Sequence, residues 1–137
     1  MDDLRASFFI AGSGMYAQGT RLRTIAENIA NVDSTAQVEG GDPYRRKLVK
    51  FVNHLDRDLN ADLVRVKEIT PDQRTPFILK YDPSHPASDQ DGYVKYPNVK
   101  TLIELTDMRE ANRSYQSNLK VIEAARSMYS QTLSILK

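Results

Sequence analysis

The sequence predicts an α+β chain: long N- and C-terminal helices that pair as a coiled-coil-like unit, with a small β-rich insert between them. Three observations carry this. Apolar residues recur at alternating steps of three and four near both ends of the chain. Pro43, Pro71, Pro76, Pro83 and Pro86, all the prolines but Pro97, fall between residues 32 and 96. The same stretch holds short apolar runs bounded by turn residues. The predicted layout is an N-terminal helix over 1–31, the insert over 32–96 and a C-terminal helix over 97–137. The two helices form one inner helical domain.

The first helix is read from Leu4, Phe8, Ala11, Met15, Gln18, Leu22, Ile25 and Ile29, a heptad stripe with one polar interruption at Gln18. Such a helix would be roughly 44 Å long. Gly12, Gly14 and Gly19 lie inside it. Each costs about 1 kcal/mol relative to Ala, so the helix needs packing partners to persist.

Residues 97–137 read as a longer helix. Pro97 and Asn98 give its start signal, with Asn98 as the expected N-cap. A near-heptad stripe runs through Leu105, Met108, Ala111, Tyr115, Leu119, Ile122, Ala125, Tyr129, Leu133 and Leu136. Pairs at helical spacing support it: Lys100 with Glu104, Glu110 with Arg113, Glu123 with Arg126. In the insert, Tyr44–Val52, Leu63–Ile69, Phe77–Tyr81 and Tyr93–Tyr96 read as strands, the last entered through an Asp91–Gly92 turn.

This layout implies a protomer of an assembly. Two amphipathic helices cover only part of each other's stripes, so the remainder must be buried against other copies or other proteins. A repeated heterologous contact of that kind closes a ring or grows a helical filament.

Composition narrows the alternatives. The formal charge of +1 argues against a nucleic-acid-coating protein and against a disordered acidic tail. The absence of cysteine excludes a disulfide scaffold, a cysteine zinc site and thiol catalysis. No apolar run approaches the length of a membrane span. The run Ala6–Ala11 is short and follows Asp2, Asp3 and Arg5, unlike a secretory signal, so any export is expected to proceed without a cleaved signal.

Several motifs suggest chemistry and fail on context. Phe8–Ala17 contains G-x-G-x-x-A with Asp33 downstream, the outline of a dinucleotide fingerprint. The heptad stripe runs through it unbroken, and no βαβ repeat follows. The plainer reading is a row of small residues that lets helices approach closely. Asp89-Gln90-Asp91-Gly92 hints at a calcium loop, but the first ligand and the bidentate Glu are missing. His54 and His85 lack metal-ligand spacing. Tyr44–Phe51 mixes Arg45, Arg46, Lys47 and Lys50 with two aromatics. Its basic face is expected to meet an acidic patch on a neighbouring subunit or to be solvated, rather than to bind nucleic acid.

Two terminal signatures and a particular middle resemble a known family. Gly14-Met15-Tyr16-Ala17-Gln18, Arg21-Leu22 and Ile25-Ala26-Glu27-Asn28-Ile29-Ala30-Asn31 resemble the N-terminal signature of the flagellar axial proteins, the rod and hook family. Arg113-Ser114-Tyr115-Gln116-Ser117-Asn118 resembles its C-terminal counterpart. Gly41–Lys47, Tyr81–Pro86 and Asp91–Val99 resemble the middle of a short proximal-rod member, as does the longer loop after Val32-Asp33-Ser34-Thr35. The resemblance implies a structural subunit of the proximal rod in the periplasmic space. Its implied partners are other copies of itself, the rod proteins FlgB, FlgF and FlgG, the adaptor FliE and the flagellar type III export apparatus. It implies terminal helices lining the export channel, an outward insert, no enzymatic activity, no cofactor, no nucleic acid and no membrane insertion. The candidate subunit-interface residues are Leu4, Phe8, Met15, Leu22, Ile25 and Ile29, with Leu105, Met108, Tyr115, Leu119, Ile122, Tyr129, Leu133 and Leu136. The candidate insert contacts are Tyr44, Arg45, Arg46, Lys47, Tyr81 and Tyr93. Catalytic and metal-binding residues are expected to be absent.

Overall fold

A computed structural model describes residues 2–135. Its order is α1 (Asp2–Ala30), β1 (Lys47–Asp56), β2 (Ala61–Pro71), β3 (Ile78–Tyr81), β4 (Tyr93–Tyr96) and α2 (Thr101–Ile135). The strands form two separate two-stranded sheets, β1 with β2 and β3 with β4. Two long helices therefore flank a small β insert, the α+β class the sequence predicts. Among the described residues, no helix is long and apolar enough to cross a membrane. Leu136, the last member of the second sequence stripe, lies outside the described residues.

The chain gathers into two compact units. One holds α1 as far as Leu22, the hairpin segment Val49–Glu68 and α2 from Met108 onward. The other holds Arg23–Leu48 and Ile69–Asp107.

In the first unit α1 and α2 run antiparallel. An ideal Cβ placed on Gly14 would lie 2.7 Å from Asn118 Nδ2. One heptad further along α1, Arg21 Nη2 lies 3.5 Å from Glu110 Oε2, a step backwards along α2. The described residues that are fully buried here are all alanines: Ala11, Ala17, Ala111 and Ala125. Alanine permits close helix approach but removes little apolar surface from water, far less than the 1.5–3 kcal/mol or so of a buried Leu or Ile. Gln18 adds a cost, since its Oε1 is buried without a hydrogen-bond partner among the described residues. The hairpin joins this unit through Ser13, whose Oγ accepts the Val64 N–H at 3.1 Å. Its turn is held by Asp56 Oδ1, which accepts the N–H groups of Asp58 and Leu59.

The second unit has a fuller core: Ile25, Val94 and Val99 are buried with Ala87 and Pro97. β3 and β4 pair antiparallel, with Ile78 opposite Tyr96 and Tyr81 opposite Tyr93. Asp89 Oδ1 accepts the N–H groups of Asp91 and Tyr93, so the would-be calcium loop is an Asx turn, with Gly92 at φ +85°.

One sequence reading holds and two expectations are corrected. Residues 8–11 are helical, so the strand that a dinucleotide fingerprint requires does not precede Gly12. Asn98 does not cap α2: the N–H groups of Ile103 and Glu104 donate to the Lys100 carbonyl, which places the cap at Lys100. β1 begins at Lys47 rather than Tyr44, because the Arg46 N–H and carbonyl are already bonded to Asn98 and Asp72.

The glycines make a graded prediction. An added Cβ at Gly12 or Gly19 meets nothing within 4 Å. Gly12→Ala and Gly19→Ala should each stabilise the isolated chain by up to about 1 kcal/mol in denaturant titrations. Gly14→Ala should gain less, because Asn118 must move. Gly92→Ala should destabilise, its Cβ falling 2.8 Å from Tyr81 Cε2 at a left-handed φ. An equal gain at Gly12 and Gly14 would contradict the close helix approach.

Candidate assembly site

The second unit is organised around a buried polar junction. Asn28 sits two residues from the end of α1 and is 1% exposed. Its Nδ2 donates to the Lys47 carbonyl at 2.9 Å and to Glu104 Oε2 at 3.1 Å. Its Oδ1 accepts the Tyr44 hydroxyl at 2.9 Å and the Lys47 N–H at 2.9 Å. The carboxamide thus uses all four of its hydrogen bonds. Glu104, wholly buried in the first turn of α2, also accepts Arg46 Nε at 2.5 Å through Oε1. Arg46 Nη2 reaches Asp107 at 3.3 Å, and Lys47 pairs with Glu27.

Asn98 is a second hub. Its Oδ1 accepts the Arg46 N–H at 2.7 Å, and its Nδ2 donates to the carbonyls of Asp72 and Thr75. Asp72 is held below the usual carboxylate range, first by the Thr75 hydroxyl and against the pull of burial, then by the N–H groups of Thr75 and Arg74. Arg45 lies 4.1 Å above the Phe77 ring and donates to the Asp72 carbonyl at 3.0 Å.

Arg46, Lys47 and Lys50 of the basic run therefore pair with carboxylates within the chain, while Arg45 donates to a backbone carbonyl. Tyr44, Arg45, Arg46 and Lys47 all take part in these two hubs. Tyr81 and Tyr93 are different: they stack edge to face at 5.4 Å and stay exposed.

The helix stripes divide in the same way. On α1, Ile25 is buried, and Leu4, Phe8, Met15, Leu22 and Ile29 are half-buried. On α2 the covered row runs through Glu104, Met108, Ala111, Tyr115, Asn118, Ile122 and Ala125. Leu105, Leu119, Tyr129 and Leu133 are exposed, at 42%, 38%, 43% and 44%. The covered row keeps heptad spacing but passes through Glu104 and Asn118, one residue before the leucines that hydropathy selects.

The signature residues now have physical roles. Gly14 and Asn118, one from each terminal signature, touch. Asn28 builds the junction. Asn31 ends α1, its Nδ2 donating to the Glu27 carbonyl at 2.9 Å and its Oδ1 accepting Ser34 Oγ at 3.0 Å.

Asn28→Leu should destabilise the chain by about 2 kcal/mol or more, since Glu104 and Lys47 lose buried partners. Glu104→Ala should cost roughly 3 kcal/mol, leaving the Arg46 guanidinium without its buried carboxylate. Burial above all, then Glu27 and Glu104, pushes the Tyr44 phenol up to about 12. The folded state holds this proton more tightly than the unfolded chain, so the contribution is whole below about pH 10 and lost as pH rises through the folded value. Stability measured across that alkaline range should fall less steeply for Tyr44→Phe than for the unsubstituted chain.

Residues 9–36 match the family model for flagella basal body rod proteins. Residues 90–135 match the model for the C-terminal part of flagellar basal body rod FlgEFG proteins. The flagellar basal-body rod protein FlgC of Agrobacterium fabrum is 51% identical, over 100% of this chain and 98% of its own length. FlgC of Borreliella burgdorferi is 38% identical over 98% of both chains, and FlgC of Salmonella typhimurium 39% over 93% of this chain and 94% of its own. End-to-end identity at this level, together with both terminal signatures, shows that the chain belongs to the FlgC family of flagellar basal-body rod proteins.

Proposed function

We propose that this rod subunit builds the proximal rod by packing its two terminal helices against those of neighbouring subunits in a helical array. The carrying observation is the mismatch within the first unit. Its fully buried described residues are alanines, while Phe9, Ile10, Tyr16, Leu119, Val121, Met128 and Leu133 stay exposed. Large apolar side chains left in water on both helices support reading this surface as the interface between subunits. The expected interface residues exposed on α2 belong to it.

The relatives are named flagellar basal-body rod proteins, and we read this chain as a structural subunit rather than an enzyme. In this reading the chain lies in the basal body, within the periplasmic space. It stacks with copies of itself, with FlgB, FlgF and FlgG, and with FliE, after export through the flagellar type III apparatus. The helices line the channel and the insert faces outward. A drive shaft needs many buried contacts and no chemistry, which suits a chain whose polar groups are spent on internal hydrogen bonds.

Leu119→Asp tests the packing. Leu119 is already exposed in the isolated chain, so the purified variant should keep its fold by circular dichroism. Cells that rely on it should lose motility and assemble no complete rod. A motile Leu119→Asp strain would contradict the reading. Leu22→Asp should give the same loss of motility.

A further inference from the structure

One buried polar atom in the first unit stands without a partner. Gln18 is the polar interruption in the α1 stripe, and its Oε1 is cut off from water with no hydrogen-bond partner among the described residues. It lies in the seam between the helices. Gly14, one turn before it, meets Asn118, and Arg21, one turn after it, reaches Glu110. Elsewhere the chain satisfies its buried carboxamides: Asn28 makes four hydrogen bonds and Asn98 three. An acceptor buried without a donor raises the energy of the arrangement that buries it.

The penalty belongs to one conformation only. With α1 packed on α2, Gln18 Oε1 is unpaired; with the helices apart, water hydrates it. The same seam has only alanines as its fully buried described residues, and Gly12 and Gly19 weaken the helix that carries Gln18. A pair that is marginal in the free chain can still adjust its register and spacing when other subunits pack against it. A pair locked beforehand cannot, because a neighbour shifts an equilibrium only between states that are close in energy.

We propose that Gln18 is a brake on the α1–α2 pair: its unpaired carboxamide oxygen keeps the pair marginal in the free chain, so that the helices settle only as neighbouring subunits pack against them. The proposal rests on the rod-subunit reading and gives that assembly a conformational control.

The brake is read first in the purified chain. Gln18→Leu removes the buried acceptor and leaves an apolar side chain in the seam. Amide exchange over α1 up to Leu22 and over α2 beyond Met108 should slow about tenfold or more. Gln18→Met should do the same, and it decides if the Leu variant does not fold. Exchange in the folded variant as fast as in the unsubstituted chain would overturn the brake.

Its use in assembly has a separate readout. Cells carrying Gln18→Leu should swim less and yield less of this chain in isolated basal bodies. Adding Ala125→Gly, which weakens the same seam at another buried position, should restore both. Slowed exchange with unchanged motility would overturn the proposal. So would a loss of motility that Ala125→Gly does not relieve, since Gln18 would then serve a contact of its own rather than set the strength of the seam. Both results leave the rod reading intact. Absence of the unsubstituted chain from basal bodies would instead overturn the rod reading, and the proposal with it.

Discussion

The buried carboxylate of Glu104 is the constraint on which the second unit depends. A charge taken out of water is costly unless it is paired and hydrogen-bonded. Here Asn28 and Arg46 supply both needs. Meeting them brings the end of α1, the entrance to β1 and the start of α2 into one arrangement. Asn98 repeats the device with backbone groups, binding Arg46 on one side and the turn at Asp72–Thr75 on the other. Polar groups with fixed geometry specify a single register where apolar contacts alone would permit several.

The first unit is built on the opposite principle. Alanines and Gly14 let its helices approach closely, and the larger apolar side chains remain at the surface. The family to which the chain belongs gives this imbalance a use. A subunit that buried its own leucines would have none left for its neighbours. Weak internal packing in one unit and a polar lock in the other together suit a chain that completes its core only in an assembly.

Much of this was legible in the sequence. Both helices, all four strands and the Asp91–Gly92 turn follow from periodicity and turn chemistry. Within the isolated chain the covered row of α2 passes through Glu104 and Asn118, one residue before Leu105 and Leu119, which stay exposed although hydropathy alone would turn a leucine inward. What turns the helix is a carboxylate with a carboxamide and a guanidinium waiting for it, and an Asn against a Gly. Such partners are distant in the chain: Asn28 and Arg46 lie far from Glu104. Asn98 misled for the same reason. A local signal named it a cap, while its carboxamide had stronger work with Arg46 and Asp72. The row of small residues on α1 was read as a close-approach surface, and the isolated chain uses that closeness at Gly14 but not at Gly12 or Gly19.

Hydrogen exchange along the purified chain tests the central claim, that one unit is locked by its own polar groups and the other waits for neighbours. The account predicts slow exchange around Asn28, β4 and the first turn of α2, and fast exchange over α1 up to Leu22 and α2 beyond Met108. Uniform protection from α1 through α2 would contradict it, because the alanine-packed helices would then be stable without any partner.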